Sequence, residues 1–342
     1  MSTDPPGRWR RFLGPIKLVI FVLVVCGIAW FVWRAREDFR AHKFSIIDVD
    51  PRWLGLAGLF YLVGMLPCGL FWHRALLAMG QRPTLGTTLR AYYIGHLGKY
   101  VPLKLTVVAM RTVMIQSARV DATVAAVSIF FETLTMMAVG ALLAGLILAV
   151  WFGRHWSLIA LAIGLMVLAG LPTLPPVFRR LVRMLNVARA SPQIDEMLSR
   201  IGYRLVLPGW LGIVAGWSVL GLSLWATLRG MPGVGTKLGG PLQELPLLTA
   251  SVCLALVAGF LSLLPGGMGV RELVLIPLMQ QHLEISTKDA IIAAVLLRVV
   301  WLVSELTLSG ILFFCVRGRT GGEQPDRLAG GTPDIQHDVV TD

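Results

Sequence analysis

The sequence predicts an all-α polytopic integral membrane protein of about six full transmembrane helices plus two broken, re-entrant helical hairpins, eight to nine membrane segments at most. Three observations predict it. Hydrophobic residues make up 56% of the 342 positions and charged residues only 15%, against about 25% charged in a soluble domain. The mean hydropathy is +0.72. The apolar residues also fall in runs near the roughly 20 residues that a spanning helix needs. A soluble enzyme, a DNA-binding domain and a disordered chain are all disfavoured. The net charge of +12 would otherwise suggest nucleic acid, but it belongs to loops and, in part, to the membrane interior.

The first run covers residues 16–33. Arg8, Arg10, Arg11 and Lys17 precede or open it, as in a signal peptide, but Trp33-Arg34-Ala35-Arg36-Glu37 follows without a small-residue cleavage site. An uncleaved anchor is expected. Further runs lie at 53–72, 122–150, 156–174, 206–228, 245–264 and 291–316. Two stretches are apolar but interrupted. Residues 85–116 are broken at Gly95-His96-Leu97-Gly98-Lys99-Tyr100-Val101-Pro102, and the pattern after Leu264 is broken by Pro265-Gly266-Gly267-Met268-Gly269. Proline removes a donor and clashes with the preceding turn, and glycine weakens a helix further. Such breaks at membrane depth are tolerated only where protein or a wet cavity satisfies the backbone.

The basic residues orient the chain. With the N-terminus cytoplasmic and each broken stretch read as a hairpin, 18 of the 31 basic residues face the cytoplasm, 8 face outside, and Lys99, Lys104, Arg271, Lys288 and Arg298 stay in or beside the membrane. This bias predicts cytoplasmic N- and C-termini, despite five basic residues in the outer loop 34–52. Three regions follow: a basic tail over 1–15, the membrane domain over 16–316, and a Gly-, Pro- and Asp-rich tail over 317–342, expected to be disordered. Within the domain, 178–202 reads as a basic amphipathic stretch on the inner leaflet, or as an ordinary solvated loop.

The four cysteines, Cys26, Cys68, Cys253 and Cys315, lie in or at the ends of apolar runs without metal-ligand spacing. They read as small hydrophobes, and neither a metal site nor a cofactor is expected. P-loop, GxSxG and HExxH patterns are missing from the sequence, so a catalytic role is not expected.

Charges inside a bilayer cost about 2.5–3.5 kcal/mol each even on a mild scale, so they carry the functional signal. At the second break a new helix starts at Val270-Arg271-Glu272. Its free N–H groups and dipole favour an anion, and Arg271 adds a guanidinium in the first turn. The alternative is a Gly-rich turn with Arg271 reaching to headgroups. At the first break Pro102 suits a first helical turn and Lys104 follows two positions later, with Lys99 and His96 close by. The two breaks would enter from opposite sides, hinting at an inverted repeat. Glu132, Glu272 and Glu305 are expected to neutralise Arg111, Arg271 and Arg298 around one polar cavity, or else to act only as structural ion pairs. The expected substrate-binding set is therefore Lys99, Lys104, Arg271, Arg298, Glu132 and Glu272. The helix-break set is Gly98, Pro102, Pro265, Gly266, Gly267 and Gly269.

At Pro265-Gly266-Gly267-Met268-Gly269-Val270-Arg271-Glu272, and at Gly98-Lys99-Tyr100-Val101-Pro102-x-Lys104, the sequence resembles the lysylphosphatidylglycerol synthase transmembrane (flippase-like) family. Glu132 and Arg298 also fall where that family carries such residues. The chain departs from it at Leu103, where the family usually has glycine. The resemblance implies a lipid-translocating module of the bacterial inner membrane. In fused members that module is joined to a soluble aminoacyl-transferase domain. The 342 residues hold no segment of that kind, so a stand-alone member without synthase activity is expected. The expected partners are membrane phospholipids or other polar lipids. A separate lipid-modifying enzyme and a second copy of the chain are further candidates, and nucleic acid is not expected. The alternative function is a non-transporting accessory or scaffold subunit for a lipid-modifying or glycosyltransferase enzyme. A membrane-embedded transferase ranks last.

Overall fold

A computed structural model gives the architecture. It describes residues 8–42, 48–101, 105–117, 119–151, 160, 163–164, 167, 170–184, 194–262, 264, 267 and 269–315. The tail at 317–342, most of the run at 156–174, and Pro102, Lys104, Pro265 and Gly266 lie outside the described residues.

The described residues form helices joined by short turns, with a single isolated bridge between Ser117 and Val120. The helices are α1 (Arg8–Ala41), α2 (Pro51–Ala78), α3 (Leu85–His96), α4 (Leu105–Ile115), α5 (Ala122–Trp151), α6 (Pro175–Met184), α7 (Ile194–Ser199), α8 (Tyr203–Arg229), α9 (Pro241–Leu261), α10 (Val270–Leu283) and α11 (Thr287–Cys315). A 3₁₀ turn, Leu97–Tyr100, follows α3 directly. Five helices (α2, α5, α8, α9 and α11) are long and apolar enough to cross a membrane. The protein is an all-α polytopic membrane protein.

Local chemistry sets the helix starts. Asp50 caps α2 by accepting from the Arg52 N–H, 2.9 Å, and Thr84 caps α3 by accepting from the Thr87 N–H, 3.2 Å. Asp121 accepts from the Val124 N–H at the start of α5, 3.0 Å. Ser286 caps α11 by accepting from the Asp289 N–H, 3.1 Å, and donates its hydroxyl to the Asp289 carboxylate, 2.8 Å. Each occupies a donor that the first helical turn leaves unpaired.

Large apolar side chains stand on the outer surface, among them Leu211, Leu273 and Phe314. In water such a surface would aggregate, whereas in hydrocarbon it is the surface expected. The interior is built by close approach and by buried hydroxyls. α2 packs along α8, and a Cβ on Gly216 would come within 2.6 Å of the Gly64 carbonyl oxygen. Small residues at such crossings let backbones approach in a solvent that gives no hydrophobic drive. Trp301 donates to Ser223 (2.9 Å), which in turn donates to the Ala57 carbonyl (2.8 Å), tying α11, α8 and α2 together. Trp72 likewise donates to Ser128 across the α2–α5 contact, 2.9 Å.

The two interrupted stretches fold as paired helices. α3 packs on α4 across the 3₁₀ turn, and α9 packs on α10. With 12, 11 and 14 residues, α3, α4 and α10 are each shorter than the roughly 20 residues needed to cross. In the 178–202 stretch, Phe178 and Val182 of α6 face inward, with Phe178 against Phe131, while Arg180 and Arg183 stay exposed. Arg179 turns back to donate to the carbonyls of Ser199 and Ile201. Arg189 lies outside the described residues.

Candidate functional site

The broken hairpins meet at one cavity of about 450 Å³. Its walls come from α2, α3, the 3₁₀ turn, α4, α5, α8, α9, the second break, α10 and α11. Its polar lining includes Lys99, His96, Arg111, Glu132, Tyr61 and Arg271, set among apolar residues. Charged groups are held there in three arrangements.

Arg111 on α4 and Glu132 on α5 form a buried ion pair at 2.7 Å, with the two residues 2% and 1% exposed. The Arg111 guanidinium lies 4.2 Å from the centre of the Tyr92 ring and 3.3 Å from His96 Nδ1. A planar fork suits this combination of carboxylate and ring face. Gly95 makes the approach feasible, because a Cβ there would lie 3.3 Å from the Arg111 Cα.

Glu305 on α11 is the centre of the second arrangement. It is 3% exposed and accepts from Tyr61, from Lys99 and, at 3.0 Å, from Tyr100. Lys99 Nζ also donates to Tyr61 (3.2 Å) and faces the Tyr61 and Tyr100 rings at 5.6 and 5.2 Å. His96 Nε2 lies 3.8 Å from the same carboxylate, so His96 stands between the two clusters.

Glu272 and Arg298 pair with each other. They line a much smaller cavity beside the large one, and Arg271 borders both. Sequence neighbours Arg271 and Glu272 therefore point different ways, as their adjacent helical positions require.

The expected charge pairing needs correction here. Glu305 does not serve Arg298, seven residues earlier on the same helix. It serves Lys99, because the 3₁₀ turn carries that ammonium across to α11. Arg298 takes Glu272 instead, and Arg271 has no carboxylate partner among the described residues. Its buried Nε has no hydrogen-bond partner.

Glycine makes room for Arg271. Gly267 has φ +67°, and a Cβ there would lie 2.8 Å from Arg271 Nε and 2.8 Å from Gly259 Cα. A Cβ on Gly259 would lie 2.6 Å from Arg271 Cγ. Gly267→Ala is therefore expected to strain the backbone and displace Arg271 together. The left-handed conformation alone costs about 1–2 kcal/mol, and a lowered thermal midpoint in detergent checks it. Gly98 plays the equivalent part at the first break. Its Cβ would lie 2.9 Å from the Val107 N, so α4 begins directly against the turn. Gly269, φ +79°, precedes α10, whose first turn has no side-chain cap.

Of the expected binding residues, the large cavity thus gathers Lys99, Glu132 and Arg271, while Glu272 and Arg298 sit next door. Sequence reasoning left Glu305, Arg111, His96, Tyr61 and Tyr100 out of the binding set. For Glu305 and Arg111 the signal was a charge in an apolar run. The tyrosines gave none, since an isolated tyrosine in an apolar helix does not reveal its hydroxyl's partner.

Helices of this length and apolarity, with charges gathered around an interior cavity, define a polytopic membrane protein with a buried polar site. The chain belongs to the family described as Lysylphosphatidylglycerol synthase TM region, which matches over residues 16–308. That makes it a lipid-related membrane protein. No curated protein matches it.

Proposed function

We propose that the protein translocates an anionic or polar-headgroup lipid across the bacterial inner membrane, passing the headgroup through this cavity while the tails stay in the bilayer. One observation carries the reading. Arg111, Lys99 and Arg298 each have a carboxylate within ion-pair distance, whereas Arg271 lines the cavity and has none among the described residues. An unneutralised guanidinium at membrane depth is expensive unless a ligand pairs with it, and a phosphate accepts its fork. The uncapped first turn of α10 adds N–H groups of the same polarity. In this reading the short paired helices are re-entrant, Lys99 and Lys104 add positive charge from the first break, and Arg298 supports Arg271 from behind. Glu132 and Glu272 hold Arg111 and Arg298 in place. Both termini are cytoplasmic.

The test is leaflet exchange in liposomes holding the purified protein and headgroup-labelled phosphatidylglycerol. The intact protein is expected to accelerate exchange. Arg271→Ala should slow it by about tenfold or more, the equivalent of one charge-assisted hydrogen bond of roughly 1.5–3 kcal/mol, while its thermal midpoint stays near that of the parent. Unchanged exchange in that variant would remove Arg271 from the site. No exchange by the parent, with co-purification of a lipid synthase, would replace transport by an accessory role.

A further inference from the structure

A second cavity lies away from the first, where α2 ends and α8 begins. It measures about 630 Å³ and is lined by Arg74 and Leu77 of α2, Arg200 before α8, and Tyr203, Arg204 and Leu205 of α8, with a glycine and no acidic residue. Arg200 pairs with Glu196 at 2.9 Å, but both side chains are more than half exposed, and water weakens such pairs. Arg74 and Arg204 have no carboxylate partner among the described residues.

The surroundings are apolar and outward-facing. On α2, Leu70, Arg74 and Leu77 share one face by their spacing of four and three, and both leucines are exposed. On α8, Tyr203, Leu207 and Leu211 repeat every four residues and are all exposed. Each row begins at a residue of the arginine pocket and runs back along a spanning helix. A soluble anion would have no use for these rows, whereas acyl chains would.

We propose that this pocket is a binding site for an anionic phospholipid, its phosphate held by Arg74, Arg200 and Arg204 and its chains laid along the exposed rows of α2 and α8. The site is separate from the interior cavity and independent of the transport reading. Three arginines favour a headgroup with one or two phosphates, since each guanidinium offers a fork that fits a phosphate's oxygens. Tyr203 sits at the boundary, where an amphipathic ring is at home. A lipid bound here would brace the α2–α8 pair, the scaffold against which the interior site is built.

The experiment measures thermal stabilisation and native-mass-spectrometric lipid retention of the full chain in detergent. Phosphatidylglycerol, cardiolipin, phosphatidylcholine and inorganic phosphate are titrated separately. The two anionic lipids are expected to stabilise and remain bound, with phosphatidylcholine and phosphate doing neither. Each arginine exchanged for glutamine should weaken retention by roughly fivefold, from about 1 kcal/mol per basic residue at a membrane surface. Arg204→Gln alone keeps the measurement available if Arg74→Gln/Arg200→Gln/Arg204→Gln does not purify. Arg180→Gln, an exposed arginine on α6, should leave retention unchanged. Equal retention of phosphatidylcholine, full stabilisation by phosphate alone, or an equal loss in Arg180→Gln would each overturn the proposal. The last would show diffuse surface charge in place of a site.

Discussion

Arg111→Ala is expected to lower stability by about 3–5 kcal/mol, the cost of leaving one member of a buried ion pair alone. Glu132 is 1% exposed, and among the described residues only the Thr133 hydroxyl reaches it besides Arg111, at 3.3 Å. A carboxylate stranded there loses its charge partner and keeps its desolvation. Arg111 also packs on Tyr92 and beside Trp72, so truncation opens a void as well. The control is the double replacement Arg111→Met with Glu132→Leu, which removes both charges at similar volume. It should recover most of the loss, because exchanging a whole buried pair for apolar groups is often neutral or stabilising. Thermal melts in detergent read both. A double variant as unstable as Arg111→Ala would show that neither charge was the cause.

Glu305→Leu should have the second large effect. The carboxylate accepts from two tyrosine hydroxyls and one ammonium. Among the described residues, its loss leaves Lys99 with the Tyr61 hydroxyl and two ring faces, in surroundings where an unpaired charge costs several kcal/mol. It also raises the number of unneutralised cations at the cavity from one to two among the described residues. Lys99→Met is expected to cost less, since Glu305 then keeps both tyrosine donors. The ranking Glu305→Leu worse than Lys99→Met, read from thermal midpoints, is the expected result. The reverse order would mean that Lys99, and not the carboxylate, organises the cluster.

Much of the architecture is legible before folding. The long runs at 53–72, 122–150 and 206–228 fall within helices long enough to cross, and those at 245–264 and 291–316 fill most of two more, Pro241–Leu261 and Thr287–Cys315, because in lipid an apolar run must satisfy its backbone internally and only a helix does so within one segment. Both interruptions are real. Leu97–Tyr100 is a 3₁₀ turn, and Gly267 and Gly269 adopt positive φ, as residues without a Cβ readily do. The charges that matter can also be named in advance, since few charges occur within apolar runs and each is costly there.

Which charge meets which is another matter. Arg298 and Glu305 lie seven residues apart, two turns along one face of α11, but a helix face says nothing about what faces it. Lys99 reaches Glu305 from 206 residues away and Glu272 reaches Arg298 from 26 residues away, and those pairings depend on how the hairpins lean on α11. The same holds for the arginine pocket, where Arg74 and Arg204 come together only because α2 and α8 run side by side. The sequence by itself therefore determined a helical membrane protein with two broken helices and a small set of buried charges, through local costs that each segment must meet alone. The tertiary structure alone decided that, of the cations lining the interior cavity, Arg271 is the one left without a carboxylate among the described residues, because Coulomb pairing acts over a few ångströms between groups that the chain brings together only on folding.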